Sequence, residues 1–210
     1  MNARDEILAR VAEAIGGADP AAELKQAYRR SGELSDAERV ERFCERVGEY
    51  QADVRRVEGM IAAAVDTVCT EREVERLVIP PALPAAWRPR TVELVEDDGL
   101  EPRVLDELGG ALTGCTAAVA ETGTIVLTAA PFEGRRAITL VPDLHICVVR
   151  ESQVYELLPE TLDALHRAGL ERRPITFISG PSATSDIELS RVEGVHGPRQ
   201  LTVLVTKERP

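Results

Sequence analysis

Residues 146–178 read ICVVRESQVYELLPETLDALHRAGLERRPITFI, and this stretch decides the predicted fold class. It begins and ends with short runs of β-branched and other apolar residues, at 146–149 and 175–178, which predict two strands. Residues 151–168 between them are predicted to form a helix, which Pro159 is expected to kink or restart. Strand, helix, strand is the pattern of a parallel βαβ unit, so the sequence predicts an α/β protein.

Other short apolar runs extend the predicted sheet. Most are close to continuous, which is typical of parallel strands buried on both faces. Prolines between residues 80 and 89 exclude a helix there and predict an ordered connection over the surface. The additional predicted strands are residues 52–57, 76–79, 91–95, 124–128 and 201–206.

The first third of the chain is predicted to be mostly helical. Apolar residues recur at helical spacing at 7–15, 40–47 and 60–68. Ser35 and Glu38 fit a capping box at the start of the second of these helices. Together with the strands, this pattern predicts a mainly parallel sheet between helices, with an N-terminal helical extension.

Length and composition fit one α/β domain with an added segment. The chain has 210 residues, of which 44% are hydrophobic, and this excludes wholesale disorder. We predict a helical extension at residues 1–50 and an α/β domain at residues 51–210. Because no signal peptide and no apolar run of about 18 residues is present, we expect a soluble, cytoplasmic protein without a membrane span.

Charge and cysteine usage exclude several function classes. The chain carries 25 Lys and Arg against 36 Asp and Glu, a net charge of −11, and shows no basic run. Nucleic acids and anionic membranes are therefore poor candidate partners. The four cysteines are scattered without a C-x-x-C pair, so we expect no metal site and no cofactor on this chain.

Three clusters of glycine and hydroxyl residues are candidate sites, because ligands of open α/β sheets bind at the carboxyl ends of strands. In the first, at 113–127, a turn can present Glu121 to a pocket, where burial would suit it to acid–base or nucleophilic catalysis. A hairpin turn with a solvated Glu121 explains the same pattern and is the more frequent case. The ligand-binding candidates here are Thr116, Thr122, Gly123 and Thr124.

The second cluster, at 178–188, follows the predicted strand at 175–178. A sharp turn at its glycine, with hydroxyl groups beside free N–H groups, can cradle a carboxylate or a phosphate. The spacing of Ser185 and Glu188 also fits a capping box, which alone would explain the composition. The ligand-binding candidates are Ser179, Gly180, Ser182, Thr184 and Asp186.

The third cluster, at 193–199, leads into the predicted strand at 201–206. His196 is the candidate catalytic residue, and Arg199 can bind a carboxylate through two hydrogen bonds, with Gly197 beside it. A β-turn with an incidental histidine is the alternative. His145, just before a buried strand, could face the same pocket, but a core histidine with its hydrogen bonds satisfied is the more frequent case.

Taken in order, these clusters resemble the LUD domain of the lactate utilization protein C family (LutC/YkgG). The resemblance rests on residues 114–127, with their Ala-Glu-Thr-Gly-Thr core, on Leu-Val-Pro-Asp-Leu-His-Ile-Cys-Val-Val at 140–149, and on residues 178–199. It covers residues 50 to 206. It implies a fold like those of NagB, ribose-5-phosphate isomerase (RpiA) and the CoA transferases.

The resemblance also implies a function. The expected role is that of a subunit that binds a small carboxylate in a system oxidising L-lactate to pyruvate, with iron–sulfur clusters on partner proteins. Such a subunit is a component of a lactate-oxidising complex and not a stand-alone dehydrogenase. One departure concerns Ala183, where the family pattern leads us to expect a basic residue, and this puts lactate specificity in doubt.

Two alternatives belong to other function classes. One is a self-sufficient transferase or isomerase that handles CoA or sugar phosphates on the same fold, with Glu121 as nucleophile. The other is a non-catalytic scaffold that holds the iron–sulfur subunits together through the N-terminal helices.

Overall fold

The structure, a computed structural model, describes residues 3–16, 28–185, 191–193 and 197–207. The helices are α1 (Ala3–Ile15), α2 (Asp36–Glu49), α3 (Ile61–Glu71), α4 (Pro102–Asp106) and α5 (Leu158–Arg167), with 3₁₀ turns at Ala85–Trp87, Arg136–Thr139 and Glu151–Gln153. The strands are β1 (Asp53–Val57), β2 (Arg76–Ile79), β3 (Glu93–Glu96), β4 (Gly110–Gly114), β5 (Ala117–Val119), β6 (Thr124–Leu127), β7 (Leu144–Arg150), β8 (Val154–Tyr155), β9 (Thr176–Ile178), β10 (Ala183–Ser185), β11 (Arg191–Glu193) and β12 (Gln200–Thr206).

The main sheet has the strand order β1-β12-β7-β4-β2-β3, and every neighbouring pair is parallel. In the central strand β7, successive side chains point to opposite faces of the sheet, as the two-residue period of a strand requires. Cys147 and Val149 of β7 pack on one face with α2, whereas Ile146 and Val148 pack on the other face with α3. The predicted fold class, a mainly parallel sheet between helices, is confirmed.

A second, smaller sheet has the order β8-β5-β6-β9, and a separate hairpin pairs β10 with β11. In this sheet β6 pairs antiparallel with both β5 and β9. The interpretation of 124–128 and 175–178 as strands of the parallel sheet was therefore wrong. The predicted βαβ unit was wrong for the same reason, because β7 and β9 belong to different sheets, and an apolar run does not specify the partner of a strand.

The helix predicted at 151–168 is shorter than expected. Residues 151–157 form a 3₁₀ turn and the short strand β8, and α5 begins at Leu158 with Pro159 in its first turn. Proline is tolerated there because the first N–H groups of a helix have no partner within the helix. The expected restart at Pro159 is thus confirmed, but the residues before it are not helical.

Helix α2 is part of the core. Its predicted capping box is present, since Ser35 accepts from the backbone N–H of Glu38 and the Glu38 carboxylate accepts from the Ser35 N–H. Val40, Phe43 and Val47 are buried against the sheet. Helix α1 has no buried residue, although its apolar stripe forms as predicted. The proposed boundary between residues 50 and 51 stays a prediction.

In the part of the chain that the structure describes, no helix is long and apolar enough to cross a membrane. Helices α1 and α2, at 13 and 14 residues, fall short of the roughly 20 residues that a membrane span requires.

Candidate functional site

A small cavity lies where the amino ends of β7 and β12 approach the carboxyl end of β9. Its volume is about 160 Å³. The sequence-based expectation placed the ligand at the carboxyl ends of the parallel strands, which is the opposite edge of the main sheet. The described residues that line the cavity are Arg136, Thr139, His145, Phe177, Ile178, Ser179, Gly180, Pro181, Ser182, Gly197, Pro198 and Leu201.

His145 is the buried titratable residue of this cavity. It is the second residue of β7, and only 1% of its surface is exposed. Its ring Nε2 lies 2.8 Å from the hydroxyl Oγ1 of Thr113 on β4. Its other ring nitrogen, Nδ1, is buried and has no hydrogen-bond partner among the described residues. The interpretation as a core histidine with both ring nitrogens hydrogen-bonded therefore holds for Nε2 but not for Nδ1.

Burial also fixes the charge of this ring. Removal of the imidazole from water, with the nearby charge of Arg136 adding to the effect, lowers the pKa of His145 from 6.5 to about 4. At neutral pH the ring is uncharged. One nitrogen then carries a proton, and the other presents a lone pair.

Arg136 supplies positive charge to the cavity. It begins a 3₁₀ turn, and its Nη1 donates to the carbonyl oxygen of Thr139 at 2.7 Å and to the Thr139 hydroxyl at 2.9 Å. Loss of solvent around the guanidinium lowers the pKa of Arg136 below its usual range, but an arginine stays protonated in proteins. Among the described lining residues, Arg136 alone carries a permanent charge. Arg136 thus brings a positive charge to this cavity in a chain whose overall charge is −11.

The second predicted cluster contributes one wall of the cavity. Ser179, Gly180 and Ser182 all line it, as does Gly197 of the third cluster. Ser182 donates its backbone N–H to the carbonyl oxygen of Pro198 at 2.8 Å, which ties the two loops together. The structure thus brings parts of two predicted clusters to one cavity.

Gly180 allows this wall to pack against α2. Its φ of +88° lies in the left-handed region, and a Cβ built there would meet the Cβ of Tyr50 at 2.4 Å. Both the conformation and the contact require glycine at this position.

A chain of hydroxyl groups connects the first cluster to Ser179. The Oγ of Ser179 lies 2.8 Å from Oγ1 of Thr124, which lies 2.7 Å from Oγ1 of Thr122. Gly123, between the two threonines, has φ +60°, and a Cβ there would meet the backbone of α2 at 2.7 Å. Thr122, Gly123 and Thr124 contribute to the turn and support the cavity wall through Ser179, but they are not among the described lining residues.

Glu121 lies outside the cavity. Its carboxylate accepts a hydrogen bond from Arg29 at 2.5 Å, and 44% of its side chain is exposed. The backbone N–H of Glu121 donates to the carbonyl oxygen of Glu156. This is the solvated turn that the sequence left open as an alternative, and a catalytic role for Glu121 stays a prediction.

Thr116 belongs to a buried structural network. Its hydroxyl donates to Glu133 at 2.6 Å and contacts the hydroxyl of Thr128 at 2.9 Å. The buried Glu133 carboxylate also accepts from the backbone N–H groups of Thr128 and Ala130. These bonds stabilise the loop after β6, and Thr116 is not among the residues that line the cavity.

Of the remaining candidate residues, the structure describes Arg199 and Thr184 but not Asp186 and His196. Arg199 lies beside the cavity wall, but its Nε donates to Asp143 at 2.5 Å and 56% of its side chain is exposed. Thr184 lies in β10, whose strand pairing is described. Asp186 and His196 lie outside the described residues, and their roles stay predictions.

Arg136 and Thr139 were missed from the sequence, whereas a place in the pocket was the less favoured of the two interpretations of His145. No motif marks Arg136, because a 3₁₀ turn in the loop between β6 and β7 brings it to the cavity. A signal for His145 was available in the sequence. A histidine that opens an otherwise apolar strand needs two hydrogen-bond partners once it is buried.

A second cavity, of about 610 Å³, lies at the carboxyl ends of β1 and β12. Its described lining includes the cations Arg56 and Lys207 and the anions Glu58 and Glu151. Charges of both signs line this cavity, so it gives no clear preference for an anion or a cation. None of its described lining residues has a buried side-chain nitrogen or oxygen that lacks a hydrogen-bond partner.

Comparison with known proteins places the chain in a family. The LUD domain family matches residues 105–206, which hold the cavity-lining residues. A protein of Deinococcus radiodurans named lactate utilization protein C is 41% identical over 209 residues, covering 97% of this chain and 95% of that protein. The chain belongs to the lactate utilization protein C family. The resemblance found in the sequence is confirmed.

Other members of the lactate utilization protein C family match shorter parts. Lactate utilization protein C of an Exiguobacterium species is 36% identical over 134 residues, covering 59% of this chain and 57% of that protein. A crystal structure of a DUF162 family protein from Deinococcus radiodurans is 34% identical, covers 83% of this chain and 99% of that chain, and superposes with a TM-score of 0.71. Its similarity supports the fold described above.

Proposed function

We propose that this chain takes part in lactate utilization by binding a small carboxylate, lactate or pyruvate, in the cavity lined by His145 and Arg136. The names of its relatives support the lactate role. The observation that carries the proposed site is that one small cavity holds the Arg136 guanidinium and a buried imidazole nitrogen of His145 that has no partner among the described residues.

Charge selects the class of ligand. A guanidinium binds a carboxylate through short, charge-assisted hydrogen bonds, and partial burial strengthens the attraction relative to bulk water. A small organic anion therefore fits the cavity better than a neutral or cationic ligand.

Size restricts the ligand further. The cavity, at about 160 Å³, is smaller than the roughly 300–1,000 Å³ of sites that hold drug-sized molecules. It has room for several water molecules, or for an acid of a few heavy atoms. A monocarboxylate such as lactate fits this volume, whereas CoA or a sugar phosphate would extend far beyond it.

We further propose that electrons from lactate leave through partner proteins. Oxidation of lactate to pyruvate removes two electrons and two protons, and the hard redox step requires a cofactor because amino-acid side chains do not accept a hydride. Iron–sulfur clusters on partner subunits are the acceptors that the family resemblance implies. This chain would then bind the acid and position it for those partners.

Calorimetric titration of the purified chain with L-lactate and with pyruvate tests the binding proposal. We expect saturable binding that Arg136→Met weakens at least tenfold, as is typical when a charge-assisted hydrogen bond is lost. Arg199→Met is the matched control, because it removes a guanidinium that pairs with Asp143 outside the cavity lining. Absence of binding of both acids, or equal weakening by both variants, would overturn the proposal.

A further inference from the structure

The hydroxyl group of Thr113 determines which nitrogen of His145 carries the proton. Thr113 Oγ1 lies 3.0 Å from the carbonyl oxygen of Gly114 and 2.8 Å from Nε2 of His145. A carbonyl oxygen only accepts, and a hydroxyl has a single proton to donate. Both bonds form together only if the hydroxyl donates to Gly114 and accepts from an Nε2–H group of the ring.

The consequence for the other nitrogen is direct. A neutral imidazole that is protonated at Nε2 has a bare lone pair at Nδ1. This atom is buried, lacks a partner among the described residues, and belongs to a side chain that lines the cavity. A buried acceptor without a donor is costly, so the cavity is best satisfied by a ligand that brings a donor to it.

We infer that Nδ1 of His145 makes the cavity selective for 2-hydroxy carboxylates over 2-oxo carboxylates. The 2-hydroxyl group donates to Nδ1 while the carboxylate pairs with Arg136. The inference rests on the proposed function, in which a small carboxylate occupies this cavity. It adds that the cavity binds lactate more tightly than pyruvate. His145 is then the specificity-determining residue of the site.

The physical basis is a mismatch of lone pairs. Pyruvate has only a carbonyl oxygen at carbon 2, so it brings a second acceptor towards Nδ1 and leaves both unsatisfied. Sites built to hydrogen-bond a substrate hydroxyl discriminate strongly against analogues that lack it. Burial keeps the ring uncharged at neutral pH, with the pKa of His145 lowered to about 4, so the ring does not become a donor at both nitrogens.

Three acids of similar size separate the contributions. L-lactate carries a donor at carbon 2, pyruvate carries an acceptor there, and propionate carries neither. Titration calorimetry with the full chain at neutral pH is expected to show lactate binding about tenfold more tightly than propionate, and pyruvate no more tightly than propionate. Equal affinities of the three acids would overturn the inference.

Two substitutions of His145 separate its two nitrogens. In His145→Gln, the amide NH₂ can reach the position of Nε2 and keep the bond to Thr113, but no acceptor remains at the position of Nδ1. In His145→Asn, the amide oxygen can lie near the position of Nδ1, but the bond to Thr113 is lost. We expect the ratio of lactate to propionate affinity to fall to about one in His145→Gln and to stay above one in His145→Asn.

The outcomes distinguish the two levels of the proposal. If all three acids bind equally and Arg136→Met weakens all of them, the carboxylate site stands and selection by His145 is wrong. If none of the acids binds the wild-type chain, the proposed function itself fails. Thermal melting of both His145 variants checks that they are folded, and a preference retained in His145→Gln contradicts the inference.

Discussion

Nε2 of His145 and Oγ1 of Thr113 lie 2.8 Å apart across the neighbouring strands β7 and β4. Both side chains are buried, and their bond holds the imidazole at the base of a cavity that also contains Arg136. A hydrogen bond in the middle of the main sheet thus orients a ring whose second nitrogen is available to a ligand. Position and chemistry of the site both depend on this contact.

Stability should depend on pH through His145. Because burial lowers the pKa of His145 from 6.5 to about 4, the unfolded chain binds a proton between these values that the folded chain does not bind. The free energy of unfolding therefore falls as the pH drops below 6.5, by about 2 kcal/mol from this group between about pH 7 and pH 5. Urea denaturation at the two pH values measures the effect.

The control for this measurement is His145→Gln, which has no titrating ring. The pKa values of carboxylates such as Asp97 and Glu160 are lowered in the folded chain, so their protonation at lower pH reduces the free energy of unfolding of both proteins. The wild-type chain should lose about 2 kcal/mol more than the variant over the same interval. An equal loss would show that His145 is not held neutral in the folded chain.

Replacement of Thr113 should affect both stability and selectivity. Thr113→Val keeps the shape of the side chain but leaves the Nε2–H of His145 without an acceptor, at a cost of about 1–3 kcal/mol. It also removes the group that sets the tautomer, so the ratio of lactate to pyruvate affinity should fall towards one. Thr113→Ser restores the hydroxyl and should recover the ratio; selectivity unchanged in Thr113→Val would contradict a positioning role.

Glu121→Gln should leave ligand affinity unchanged. The carboxylate pairs with Arg29 at the surface, so its loss should change stability by no more than about 1 kcal/mol. Calorimetry with L-lactate checks the affinity. Intact-mass measurement after incubation with acetyl-CoA checks the transferase alternative, in which Glu121 would carry a covalent adduct. An adduct on the wild-type chain that is absent from Glu121→Gln would favour that alternative.

Helix α1 should matter for assembly and not for folding. Its apolar residues, among them Val11 and Ile15, are exposed. Val11→Glu combined with Ile15→Glu should leave the melting temperature and lactate affinity unchanged. If the iron–sulfur partners dock on this helix, the double variant should recover less of them from an extract of the source organism than the wild-type chain does. Equal recovery would exclude α1 as their docking surface.

Much of the fold could be predicted from the sequence, because apolar runs and helical spacing are local signals. The predicted strand at 76–79 matches β2, and the runs at 146–149 and 201–206 lie within β7 and β12. Strands β4 and β5 were missed because Gly110–Gly114 and Ala117–Val119 are short and rich in small residues. Pairing direction was not predictable, since it depends on partners distant in sequence.

The site was harder to predict than the fold. Ser179, Gly180, Ser182 and Gly197 were identified because turn glycines and hydroxyl groups are visible in sequence, and the structure places them at one cavity. Arg136 was not identified, since its position depends on how the loop after β6 packs. The rule on carboxyl ends of parallel strands points to the opposite edge of the main sheet, so it does not predict a cavity closed by a strand of a second, antiparallel sheet.

Nitrogen-resolved NMR of the imidazole rings tests the central claim most directly. The chain has three histidines, and comparison with His145→Gln assigns the signals of His145. We predict a protonated Nε2 and a bare Nδ1 in the free protein at neutral pH, with L-lactate shifting the Nδ1 resonance and leaving Nε2 protonated. A ring protonated at Nδ1 in the free protein, or an Nδ1 resonance unmoved at saturating lactate, would contradict it.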